Sequence, residues 1–288
     1  MGWRKRISIA CLAILSPCQN TMASLGVWAR TDKTPYTMAR FSPDFSILKL
    51  GAFANSGVFK PVLNNEQIRQ ECARRKRIDG WIGHRLKPNE VLSPGAGQRL
   101  GEQLNTLLTK TCVEAVELDI EPLPTVPPWL AKFLGRVRRG MDTQFRLHLA
   151  VPMITVRAIP GPHWTAREAV ALMPPLDGID VMAYDTGATS ADEYQEWLYQ
   201  AVHSLGAYFD RLSQKVITIG LPAYHDRTAL HSSNSESLLS ALTALTRLDP
   251  ALVCRTGVRF AFYAEWTMRP EDRTMAARLV RWKKNGCR

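Results

Sequence analysis

Glu117, Asp119 and Glu121 recur at every second position in the run Glu-Ala-Val-Glu-Leu-Asp-Ile-Glu (114–121), with Val116, Leu118 and Ile120 between them. Alternation of period two predicts a β-strand with three carboxylates on one face, spaced about 6 to 7 Å apart, and aliphatics on the other. Carboxyls crowded in this way oppose one another's ionisation, and one of them keeps its proton towards neutral pH. Such a group is what a general acid needs to protonate a leaving oxygen. Taken alone, the run would also suit the solvated face of an edge strand, so the rest of the chain has to decide.

Short apolar strands are expected at 26–30, 47–54, 80–85, 115–121, 146–153, 178–184, 216–222 and 258–263. Helix-like stretches fall between or after them, at 65–77, 97–109, 129–139, 165–173, 191–213, 235–247 and 270–283. Alternating strand and helix implies a parallel sheet. Eight units without a linker or repeat suit one α/β domain, a single (β/α)8 TIM barrel over 24–288, since such barrels take ~250 residues. An open dinucleotide-binding sheet should carry a Gly-rich turn after its first strand, and none is present. The first unit is irregular, because 31–46 holds Pro35 and Pro43 and no clear helix. In a barrel the catalytic groups gather at the C-terminal strand ends, where Glu121 sits immediately before Pro122 and Pro124.

Residues 1–23 read as an export signal, with Arg4, Lys5 and Arg6 ahead of an apolar stretch too short to span a bilayer. Two endings are open: cleavage after Ala23, or a lipoprotein-type cut before Cys18 that would anchor the protein to a membrane, which Pro17 disfavours. The protein is therefore expected outside the cytoplasm, periplasmic, secreted or lipid-anchored, and as a monomer. Removing the segment takes the formal charge from +11 to +8. The basic blocks Arg74–Arg77 and Arg136–Arg139 read as C-terminal turns of helices, where cations complement the helix dipole. No aromatic and basic motif accompanies them, so nucleic acid is not an expected partner. Cys72, Cys112, Cys254 and Cys287 allow three pairings and carry no CxxC, so no metal is expected and one or two bridges, or buried thiols, are. No cofactor motif is evident.

The acid run resembles the D-G-x-D-x-D-x-E motif on the fourth strand of glycoside hydrolase family 18, the chitinase and endo-β-N-acetylglucosaminidase family. Asp119 and Glu121 match its last two acids, whereas Glu114 and Glu117 stand for aspartates and Ala115 for glycine. Met182-Ala183-Tyr184-Asp185 resembles the family's M-x-Y-D, and Gly220-Leu221-Pro222-Ala223-Tyr224 its G-L-P-x-Y. Two departures mark a remote or specialised relative. Gly80-Trp81-Ile82-Gly83 replaces S-x-G-G, and the last strand lacks the floor tryptophan, for which Tyr263 or Trp266 would have to substitute.

The resemblance implies a substrate-assisted glycosidase acting on a polysaccharide or oligosaccharide of N-acetylhexosamine, with no cofactor. Glu121 would protonate the glycosidic oxygen while the substrate's own acetamido carbonyl attacks the anomeric carbon. Asp119 would orient the acetamido group and stabilise the oxazolinium ion, Tyr184 would donate to its carbonyl oxygen, and Glu117 would tune the proton on Asp119. Met182, Asp185, Tyr224, Tyr263, Trp266 and Trp81 would line the sugar site. Trp164 is a further candidate to stack on sugar, His84 and His225 could face the cleft, and the other histidines read as surface or packing residues. Two other functions stay open: a conventional retaining glycosidase with Glu265 as nucleophile, and a glycan-binding barrel without activity.

Overall fold

The computed structural model describes residues 24–31, 43–255 and 257–286, with side chains described as far as 279. The expected export segment with Cys18, most of the irregular first connection, and Cys287 lie outside the described residues. In chain order the first half runs β1 (Leu25–Ala29), β2 (Phe45–Phe53), β3 (Phe59–Pro61), α1 (Asn65–Arg74), β4 (Ile78–Arg85), α2 (Pro94–Leu108), β5 (Ala115–Glu121), α3 (Leu130–Gly140) and β6 (Arg146–Val151). The second half runs β7 (Met153–Ile154), β8 (His163–Trp164), α4 (Ala166–Ala171), β9 (Gly178–Met182), α5 (Ala191–Gly206), β10 (Val216–Pro222), α6 (Leu238–Thr246), α7 (Pro250–Val253), β11 (Val258–Tyr263) and α8 (Pro270–Gly286).

Eight strands pair in parallel in the order β1-β11-β10-β9-β6-β5-β4-β2, and β2 pairs back to β1, which closes a (β/α)8 barrel. The expected fold is the fold found. The differences from the sequence reading are local. β3 adds an antiparallel hairpin to β2, and α7 is an extra turn of helix. The expected fifth strand breaks at Pro152, which has no N–H for the ladder; beyond it Met153 and Ile154 pair with His163 and Trp164 instead.

Helix starts follow from side-chain caps. Asn64, Ser93, Thr165, Ser190 and Ser237 each accept a hydrogen bond from a first-turn amide, and Asn64 and Thr165 complete capping boxes with Gln67 and Glu168. The main apolar core lies between strands and helices and takes in Val116, Leu118 and Ile120, the outward residues of β5. The barrel interior is different. Trp28, Phe45, Ile47 and Ala261 form a small cluster there. Below it, Asp79, His148, Asp180, Thr218 and Arg259 meet across five strands, all buried.

Cys72 on α1 is bridged to Cys112, just before β5, across a sequence separation of 40, and Cys254 is also in a disulfide. The thiol alternative is thereby excluded for these three. A cross-link spanning a loop of that length removes much unfolded-chain entropy, so Cys72→Ala with Cys112→Ala should cost roughly 2–4 kcal/mol in urea unfolding. A loss below roughly 0.5 kcal/mol would mean that the bridge does not hold α1 against the barrel.

Candidate active site

β5 places its three acids on the barrel's inner face at rising depth. Glu117 is buried, Asp119 is half-buried, and Glu121, also half-buried, stands at the strand's C-terminal end. Each environment sets a different proton affinity. At Glu121, burial and the negative charges of Asp119 and Asp185 outweigh Arg85 and push the carboxyl up to about 7. Its side chain makes no hydrogen bond among the described residues. A carboxyl with a free oxygen, half protonated at neutrality, is available to give and retake a proton.

Asp119 is raised as well. Burial lifts it, while the indole N–H of Trp81, which donates to Oδ2 at 2.9 Å, and the charge of Lys49 hold it down. Its other oxygen, Oδ1, is buried without a partner. Glu117 is pushed well above the usual carboxylate range, first by burial and then by the charge of Asp180. Asp180 goes the other way: burial would raise it, but His148 and Arg259 outweigh that and hold it below the ordinary range. Burial and the neighbouring acids thus favour the protonated form of Glu117, while His148 and Arg259 favour the ionised form of Asp180. Glu117 is expected to tune the proton on Asp119, and the charges of both Asp180 and Asp119 act on Glu117. Glu117 also accepts from the indole of Trp28 at 3.2 Å.

Tyr184 lies just beyond β9, where the chain leaves the sheet, which is why the strand ends at Met182 and not at Tyr184 as expected. Its ring stacks on Tyr263 with centroids 4.4 Å apart and meets Trp28 edge-on at 6.4 Å. Gly220 permits this, since a Cβ there would come within 2.9 Å of the tyrosine ring. Burial, Tyr263 and the nearby acids keep the phenol protonated, and its hydroxyl has no hydrogen bond among the described residues. Glu121, Met182, Tyr184 and Asp185 line one cleft of about 70 Å3 with Ala150, Pro152 and Leu230.

The remaining candidates divide. Tyr263 and Trp266 sit edge to face at 5.7 Å at the mouth, and Trp81 borders Asp119. Asp185, in a left-handed backbone conformation at φ 54°, bonds to His231 instead of standing free. Tyr224 donates to the buried Glu236 at 2.6 Å and stacks on His231 at 4.0 Å, so it braces the Asp185 loop from behind. Trp164 is buried and donates to the Leu123 carbonyl, so it is core. His84 is buried against Phe53 at 4.7 Å, and His225 pairs with Asp272; neither is among the cleft-lining residues. Glu265 accepts from Arg75 at 3.2 Å through one oxygen, and Arg75 also holds Glu71 and Ser46. The sequence reading missed Lys49, His148, Asp180, Arg259 and His231. For Lys49, His148, Asp180 and Arg259 the available signal was a charged or polar residue inside an apolar strand; His231 lies in a loop and carried none.

The fold is shared with chitinases. A chitinase of Chromobacterium violaceum superposes with a TM-score of 0.59 at 14% identity, covering 90% of this chain and 99% of that one. The C-terminal domain of Legionella pneumophila ChiA gives 0.60 at 15%, covering 92% and 100%. The spore cortex-lytic enzyme SleL of Bacillus megaterium gives 0.58 at 13%, covering 88% and 73%. No protein-family model and no curated protein matches the sequence. At these identities the likeness is one of fold.

Proposed function

We propose that this protein is a retaining glycosidase that cleaves β-linked glycans containing N-acetylhexosamine with the help of the substrate's own acetamido group. The observation that carries it is the pairing in one cleft of Glu121, held at about 7, with the unengaged hydroxyl of Tyr184. Glu121 protonates the glycosidic oxygen, and the acetamido carbonyl closes on the anomeric carbon. Tyr184 donates to that carbonyl oxygen and so aims it. Asp119 faces the positive charge that develops on the oxazolinium ion, and Trp81 fixes its orientation. Water then opens the ring, with Glu121 taking back the proton, and the product retains the β configuration.

An enzyme nucleophile is not needed; of the other acids considered, Glu265 is paired with Arg75 and Asp185 with His231. The Cys72–Cys112 bridge supports action outside the cytoplasm, as the proposed export segment requires. A thiazoline of N-acetylglucosamine, which mimics the oxazolinium ion, is expected to inhibit competitively with an affinity at least ~100-fold better than the parent sugar. Turnover that this compound leaves untouched, or saturable glycan binding with no cleavage, would overturn the reading.

A further inference from the structure

Lys49 occupies a place that hydrolysis of a neutral sugar does not explain. It follows Phe45 and Ile47 on the inward face of β2, opposite Trp81 in the register with β4. Its ammonium lies 5.1 Å from the centre of the Trp81 ring, the same indole that donates to Asp119 at 2.9 Å. It forms no hydrogen bond or ion pair among the described residues, and it is only partly buried. Two further cations stand on the flanking strands. Arg30 follows β1 and lies 5.5 Å from the centre of the Trp266 ring, and Arg85 ends β4 opposite Glu121. Three neighbouring strands thus each bring a base to the mouth, beside the strand that brings the acids.

A positive charge at this position works against the reaction as proposed. Glycosidic cleavage builds positive charge at the anomeric carbon and the oxazolinium ring, and Lys49 repels it while weakening the field of Asp119. A neutral side chain would serve a neutral sugar better. A substrate that brings its own anion reverses the argument: the anion pairs with the ammonium and leaves Asp119 free to face the reacting sugar, while Trp81 offers a flat apolar surface to the ring. We propose that Lys49 binds a carboxylate carried by the glycan, with Arg30 and Arg85 adding to the attraction, so that the preferred substrate is an acidic N-acetylated glycan. The net charge, +8 once the expected export segment is removed, favours such a polymer at longer range. This inference rests on the glycosidase reading and narrows its substrate class.

The test compares peptide-free strands of alternating N-acetylglucosamine and N-acetylmuramic acid with the same strands methyl-esterified at the lactyl carboxylate. Wild-type kcat/KM is expected to favour the acid form by tenfold or more, mainly through KM. Lys49→Met should bring that ratio to about one, and Lys49→Arg should keep it above about three. Equal rates on acid and ester, or an equal loss on both in Lys49→Met, would overturn the proposal and leave Lys49 as a counter-ion of Asp119. If wild type cleaves neither form, calorimetric binding of the acid and ester strands decides the Lys49 site, and equal affinities reject it, while the thiazoline test decides the glycosidase reading separately.

Discussion

Glu121→Gln is expected to lose hydrolysis by ~10²–10⁴-fold and, in the same protein, to gain stability above neutral pH. Both effects come from one carboxyl. The glutamine keeps the shape but has no proton to give, so the leaving oxygen must depart as an alkoxide. The stability effect follows from linkage. The folded-state pKa of about 7 lies above the ordinary value of 4.5, so the folded protein binds the extra proton more tightly than the unfolded chain does. Ionisation therefore costs nothing below about pH 4.5. The cost grows as pH rises from there to about 7, and it is constant above. A rise of that size corresponds to at most about 3 kcal/mol, and less in practice, because the side chain keeps contact with solvent. Removing the charge should raise the unfolding free energy by about 1–3 kcal/mol at pH 8 and leave it unchanged at pH 4. In wild type, kcat/KM should fall on the alkaline side with a midpoint near 7. A variant that retains a tenth of the activity, or one that is no more stable at pH 8, would refute this account of Glu121.

The acid ladder was legible because a strand has a fixed period. Once Val116, Leu118 and Ile120 are assigned to the core, Glu117, Asp119 and Glu121 must face inward together. The eight barrel strands were legible for the same reason, and the bounds of β5, β10 and β11 fall where apolar alternation stops. What stayed hidden was pairing at long range. Arg259 is one charge in an otherwise apolar strand, and it reaches Asp79 across 180 residues and Asp180 across 79. No local pattern marks such a contact. β3 was missed for a different reason: a three-residue strand is shorter than any periodicity, and it is fixed by its pairing of Phe59 with Phe53. Lys49 was likewise silent in sequence, since only closure of β2 onto β4 puts it over Trp81.

Arg259→Met should cost about 3–5 kcal/mol in denaturant unfolding. Its guanidinium donates to Asp79 Oδ2 and to Thr218 Oγ1, each at 2.6 Å, and to Asp180 at 3.4 Å, and it lies 4.1 Å from the centre of the Phe45 ring. Methionine fills much of the volume but leaves both carboxylates without their main counter-ion in a site closed to water. Asp79 keeps help from Arg77 and Arg146, whereas Asp180 keeps only His148. The chemistry should respond as well. Without Arg259 the buried centre beneath the acids loses a positive charge, which raises the proton affinity of Asp180 and of the carboxyls above it. Because Asp119 has to be ionised to face the oxazolinium charge, the acid limb of kcat should shift to higher pH. Arg259→Lys keeps the charge but loses the fork that bridges Asp79, Asp180 and Thr218, so it should fall between wild type and Arg259→Met in both measurements. A stability loss under about 1 kcal/mol, or an acid limb that does not move, would mean that the polar centre of the barrel does not set the state of the acids above it.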